Sequence, residues 1–495
     1  MKTTLIRGRW LVASDPNHPN TPDTHRLIEN GEVVYAGNRI LFVGRGYSAP
    51  VDEVIEAGET IIGPGFIDLD ALFDLDSTVL GFDNHPGWRK ARVWDSSYVA
   101  RGPRDVYTPD EEAFQHEYAM IQLLLNGITT ALPIRSILYR EWAETYDENA
   151  RAAEAAARLG IRMYLGPSYR TGLPMVQPDG GLAMHFEAER GMAGLAEAVR
   201  FVRDFDGAHD GLIRGFLQPD RIEGCTDELL LASAQAAREL AVPLRLHCCQ
   251  GQTEVRMVHE RWGKSSLAVL HDLGFLHGTR PLLPHAWYLG GIAPTPEQIE
   301  REIGWLAQSG ATVVQCPVVG ARHGDVLRSF RSFRQRDINI GLGTDTYPPD
   351  MILNMHTGVM LARVADGNME TSAADYYTAA TLGGAKALGR DDIGRLAPGA
   401  LADIVIFDLS NPRIGQVHDP IQTMLLNGTG RDIRTVIVNG RVVVRDGAVP
   451  GIDLPAYHAR AQQQFNKLIA SYPERAHLHP PVSEIFRPSF GAGRE

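Results

Sequence analysis

The sequence predicts an α/β chain: a (β/α)8 TIM barrel joined to a small β domain built from both chain ends. Three observations carry this prediction. Eight short apolar runs, each reading as a buried parallel strand, recur between residues 66 and 343, and helical stretches separate most of them. Short strands broken by turns precede and follow that stretch. The composition, 44% hydrophobic and 22% charged over 495 residues, is that of a folded globular protein and excludes a disordered or fibrous one.

The elements follow in order. Leu5 to Val12 and Glu32 to Tyr35 read as strands, and Arg39 to Val43 follows a Gly37-Asn38 turn. The barrel strands are then Phe66 to Leu72, Ile128 to Leu132, Arg162 to Leu165, Ile213 to Leu217, Leu244 to Cys248, Pro281 to His285, Thr312 to Cys316 and Ile338 to Gly343. Helices are predicted at Glu111 to Asn126, Ala150 to Leu159, Asp227 to Leu240 and Pro296 to Gln308. Ala402 to Phe407 and Thr435 to Val442 return to short strands. The expected division is residues 1–60 and 395–450 as a composite β-sandwich domain, 61–394 as the barrel, and 451–495 as a helical extension with a loose tail.

Four cysteines are too few for a disulfide scaffold, so a reduced, cytoplasmic setting is expected and any metal would be functional. The net charge of −12 argues against a nucleic-acid surface. No apolar run reaches the length of a membrane span. Arg7 and Arg9 interrupt the start of the chain where a signal peptide needs apolar residues.

Barrel enzymes carry their chemistry at the C-terminal strand ends. Those ends here read Asp68-Leu69-Asp70 on strand one, His247-Cys248-Cys249-Gln250 on strand five, His285 on strand six and Gly343-Thr344-Asp345 on strand eight. Taken singly, each has an ordinary structural reading, such as a helix cap at Asp345. Together, two imidazoles and several carboxylates at one mouth make a ligand set for hydrolytic zinc or for non-haem iron.

Over nearly its whole length the chain resembles the amidohydrolase superfamily, in its deaminase and chlorohydrolase-like branch. The matching pieces are Gly63-Pro64-Gly65-Phe66-Ile67-Asp68, Asn126-Gly127-Ile128-Thr129-Thr130, His247, His285, Gly343-Thr344-Asp345, Ala380-Thr381-Leu382-Gly383-Gly384-Ala385 and Gly394 to Asp403. The resemblance implies a metal-bearing barrel with a β-sandwich from both chain ends.

Two departures stand out. The family's His-x-His positions on strand one are Asp70 and Leu72 here, and the strand-five glutamate that shuttles protons in deaminases is Gln250. Three readings follow. The preferred one resembles the TIM-barrel non-haem diiron monooxygenases of platensimycin and platencin biosynthesis. It expects two irons, O2 as co-substrate, an external electron donor, and hydroxylation of an apolar, CoA-linked diterpenoid-type substrate. The second is a metal-dependent hydrolase, with zinc and with Asp345 as general base, acting on a small organic substrate. The third is a metal-free binding barrel.

The expected metal ligands are Asp70, His247, His285 and Asp345, with His85 and Asp68 as further candidates and Asp345 as the catalytic residue. Asp74 and His323 are weaker candidates. The long segment Phe73 to Tyr107 is expected to cover the substrate, with Arg89, Lys90 and Arg92 able to meet phosphates. A homodimer is the expected assembly, with no nucleic-acid or membrane partner.

Overall fold

A seven-stranded sheet ties the two chain ends together. The computed structural model describes residues 2–15, 24–102, 104–327 and 330–491. The sheet order is Arg441–Val444, Ile433–Val438, Ile404–Asp408, Glu53–Pro64, Thr3–Asp15, Thr24–Ala36 and Arg39–Gly44. The seam between the ends is antiparallel, with Ile404 opposite Pro64 and Asp408 opposite Thr60. Alternating apolar residues on these strands bury Ile6, Leu11, Val33, Ile62, Ile404 and Ile437 in one cluster.

The barrel begins immediately after that seam. Phe66–Leu72 pairs in parallel with Ile128–Ile134, which pairs with Arg162–Leu165 and then Ile213–Gly215. The expected fifth strand pairs through single bridges rather than a continuous ladder: Leu244 to Leu217, His247 to Arg221, Arg245 to Leu282 and Cys248 to His285. Leu282–Pro284, Thr312–Gln315 and Asn339–Leu342 complete the ring. It closes where Asp345 N–H donates to the Asp70 carbonyl at 2.8 Å. Gly343 permits that approach, because a Cβ there would lie 2.5 Å from the Asp70 Cβ.

Two helix starts fall earlier than the apolar pattern alone suggests, whereas the helices beginning at Asp227 and Pro296 start where it places them. The first barrel helix spans Pro109–Leu125, set by a Thr108–Glu111 capping box with proline in the first turn. Thr145 caps the next helix, Tyr146–Leu159. Apolar periodicity marks where a helix becomes buried, whereas the cap marks where it begins.

The segment after strand one is more ordered than a covering loop. Its Trp94–Asp95 pairs with Gly172–Val176, which pairs with Leu182–Phe186. The C-terminal helix Leu454–Arg475 packs on this segment. Arg475 Nη2 bonds both Asp76 oxygens at 3.0 and 3.2 Å, Tyr472 Oη donates to Asp76 Oδ1, and His477 Nδ1 donates to Asp95 Oδ2 at 2.8 Å. The expected loose tail falls partly on residues 492–495, outside the described residues. Among the described residues, no helix is long and apolar enough to cross a membrane.

Candidate metal centre

Strand one places Asp68 and Asp70 on the same face, since side chains alternate with a period of two. The two carboxylates nevertheless do different work. Asp68 is saturated: Oδ1 accepts from the Asp70 and Thr344 amides at 3.1 and 3.0 Å, and Oδ2 accepts from Thr344 Oγ1 at 2.6 Å. Burial pushes its carboxyl up to about 6, with the Thr344 bonds opposing. Asp68 thus pins strand eight to strand one.

Asp70 faces the barrel axis and is fully buried. Its Oδ1 lies 3.0 Å from Arg245 Nη1, and its Oδ2 lies 3.4 Å from His247 Nε2. The Cys316 thiol donates to the same Oδ2 at 3.7 Å. Burial pushes this carboxyl up, but the His247 and Arg245 charges outweigh it and hold Asp70 below the usual carboxylate range.

The second group comes from the ends of strands five, six and eight. His247 Nδ1–H donates to the Asp220 carbonyl at 2.9 Å. That bond sets the tautomer and turns Nε2 toward the barrel axis. The His285 ring sits 5.5 Å from that of His247 and 4.5 Å from Trp287, and neither ring nitrogen of His285 has a hydrogen-bond partner. Asp345 Oδ2 lies 3.9 Å from His285 Nε2. Burial and the nearby Asp70 charge raise the Asp345 carboxyl well above the ordinary value. Burial and the His247 charge push His285 the other way, toward neutral imidazole.

These donors fit a divalent metal. One ligand atom each from Asp70, His247 and His285 lies within 4.8 Å of the others, and His285, Cys316 and Asp345 form an overlapping group at the same spacing. His247 turns Nε2 toward the Asp70 carboxylate at 3.4 Å, and the neighbouring His285 adds two unpartnered ring nitrogens, a donor set suited to a cation. Local backbone strain marks the same residues: His285, Asp345 and Cys249 adopt φ of 79°, 42° and 57°. Each such conformation costs about 1–3 kcal/mol, and strain of this kind concentrates at functional sites.

The remaining candidates lie outside this donor group. His85 stacks edge-on against His323 at 5.5 Å, on the loops above the mouth. Asp74 accepts from the Ser77 amide and hydroxyl at 2.8 and 2.7 Å. Sequence reasoning overlooked Arg245, which is fully buried and donates to the Leu69, Leu132 and Pro133 carbonyls and to Gln218 Oε1 besides pairing with Asp70. Its signal was present: a charged residue inside the apolar run Leu244-Arg245-Leu246, two residues before His247 and therefore on the same strand face.

The model of the amidohydrolase family matches residues 61–443. The chain belongs to the amidohydrolase family. Among its relatives is the 5'-deoxyadenosine deaminase of Methanosarcina mazei, 25% identical over 481 residues, covering 95% of this chain and 99% of that one. Another is the 8-oxoguanine deaminase of Pseudomonas aeruginosa, 28% identical, covering 90% and 94%. Similar solved structures include the zinc complex of atrazine chlorohydrolase from Arthrobacter aurescens. It has a TM-score of 0.74 at 22% identity, with 93% of this chain and all of that one covered. An adenosine deaminase from Xanthomonas campestris with bound zinc gives 0.72 at 19%, covering 94% and 98%.

These relatives overturn the oxygenase expectation. Relatives that match this chain nearly end to end are named deaminases, and similar solved structures are named hydrolases, so the oxidoreductase, diiron and diterpenoid readings fall. The O2, the electron donor and the CoA-linked substrate fall with them. Loss of His-x-His suggested a change of metal chemistry. In the structure Asp70 instead brings one oxygen to the histidine pair and gives the other to Arg245, and the two potential donor groups share His285 rather than forming separate iron sites.

Proposed function

We propose that the chain is a metal-dependent hydrolase of the deaminase type, which uses water to displace an amino or comparable leaving group from a small heterocyclic substrate. The observation that carries this reading is the convergence of Asp70, His247 and the unpartnered ring of His285, one ligand atom each within 4.8 Å, beside the Asp345 carboxylate 3.9 Å from His285. Asp70, His247, His285 and Asp345 would hold the ion, and the zinc bound by the similar atrazine chlorohydrolase and adenosine deaminase makes zinc the expected metal. An ion held there would supply Lewis acidity and make water nucleophilic near neutral pH.

The chain's own groups divide the proton work. Asp345, ionised when it holds the ion, would take a proton from water and then deliver that proton to the leaving group. Gln250 cannot share that task, because an amide does not exchange a proton at neutral pH. Glu254, four residues further on, is locked into the Cys249 and Gln250 amides, both at 2.6 Å, and the Ser266 hydroxyl. Asp345 is therefore assigned both base and acid roles. Arg245 fixes Asp70, and the Asp220 carbonyl fixes His247, so both present one defined atom inward.

The test is metal analysis of protein purified without added metal, together with ammonia release from aminated purines, pyrimidines and triazines. The expected result is about one zinc per chain, as for a mononuclear site, and ammonia from at least one class. Protein that binds no divalent metal even when supplied, and releases no ammonia, would overturn the reading.

A further inference from the structure

The chain is acidic overall, at −12, yet the mouth above the candidate centre is lined with cations. Arg92 comes from the segment after strand one, Arg221 from the end of strand four, and Arg322 with His323 from the Pro317–His323 helix after strand seven. These loops all stand at the C-terminal face of the barrel. The Arg322 guanidinium reaches across to the strand-one segment, where a Cβ on Gly81 would come within 2.8 Å of its Nη1. His85 and His323 touch at 5.5 Å.

Two of these charges are unpaired: Arg92 and Arg322 are exposed and form no ion pair among the described residues. Arg221 lies 3.9 Å from Asp220, and the charges of Glu223, Asp345 and Glu254 also hold it. The same wall continues outward. His85 also lines a cavity of about 640 Å³ with Arg89, Lys90, Arg487 and Glu484. There Arg89 and Lys90 donate only to carbonyls, those of Gly180 and Glu484, both at 2.8 Å.

We propose that this mouth is an anion subsite in which Arg92, Arg221 and Arg322 clamp a carboxylate or phosphate group of the substrate while its reacting end faces His285 and Asp345. The proposal rests on the hydrolase reading and names its substrate class: an anionic small molecule. It also gives the Gln250 departure a physical role. Arg221 Nη1 donates to Gln250 Oε1. A glutamate at 250 would neutralise Arg221, whereas the amide orients the guanidinium and leaves its charge available to a ligand.

The test is equilibrium titration of the purified full-length chain with inorganic pyrophosphate and with succinate, at low and high salt. Binding of one probe, weakened about tenfold for each guanidinium removed in Arg92→Gln and Arg322→Gln, is expected. The probe that binds names the source, phosphate or carboxylate. Salt should weaken binding, because these side chains are solvent-accessible. Binding of neither probe, or binding unchanged in the Arg92→Gln/Arg322→Gln double variant, would overturn the subsite, the latter placing the anion on the metal instead. Read beside the metal and ammonia assays, the outcomes separate: protein that takes up no divalent metal when supplied and releases no ammonia, yet binds pyrophosphate through these arginines, sinks the hydrolase reading alone, and protein that takes up zinc and releases ammonia but ignores both probes sinks the subsite alone.

Discussion

Replacing Arg245 by methionine should destabilise the fold through a single buried carboxylate. The guanidinium is fully buried, pairs with Asp70 at 3.0 Å, and satisfies three strand carbonyls at 2.7, 2.9 and 3.1 Å. Methionine fills similar space but leaves Asp70 charged with one fixed partner fewer. Breaking a buried pair by removing one member costs about 3–5 kcal/mol, whereas replacing both members by apolar groups is often neutral. For a chain of 495 residues unfolding as one unit, the unfolding entropy is about 1 kcal/mol per kelvin, so Tm should fall by roughly 3–5 °C. Calorimetry of wild type, Arg245→Met, Asp70→Leu and the double variant, each stripped of metal, closes a thermodynamic cycle. The double variant should be more stable than Arg245→Met alone. If Arg245→Met matches wild type, or the double variant loses the sum of the singles, the Asp70–Arg245 pair is not what holds this part of the barrel.

Three further expectations are independent of that one. His285→Ala should abolish metal retention while leaving the circular dichroism spectrum unchanged, because both nitrogens of that ring are without protein partners; full metal occupancy in the variant would show that the site is misassigned. Asp74 is raised to about 8, chiefly by burial and then by the Asp76 charge. The folded state therefore keeps a proton that the unfolded chain loses above pH ~4. Stability should fall as pH rises from 4 to 8, and Asp74→Asn should flatten that slope in denaturant titrations across the range. Arg475→Met breaks the buried pair with Asp76, so hydrogen exchange over Leu454–Arg475 and the segment after strand one should accelerate together. Exchange confined to the helix would show that the two are not coupled.

What the sequence determined by itself was everything that repeats or sits locally. Eight apolar runs with helices between them specify a barrel, because parallel strands buried on both faces must be apolar throughout. The strand-end rule then pointed to His247, His285, Asp345 and Asp70 without any contact being known. The starts of the first two barrel helices lie in the caps at Thr108 and Thr145 rather than in the apolar pattern. The tertiary structure alone decided which of those groups face one another and with what charge. Asp68 and Asp70 share a strand face and a residue type, but strand eight brings Thr344 onto one while strand five brings Arg245 and His247 onto the other. The substitution of a carboxylate for imidazole at Asp70 looked like a change of metal chemistry. Its meaning depends instead on Arg245, a residue 175 positions away that supplies a fixed positive charge. Local pattern records what each residue offers; partners distant in the chain decide its ionisation, its free lone pairs and its role, because Coulomb and hydrogen-bond terms act over a few ångströms in space regardless of separation along the chain.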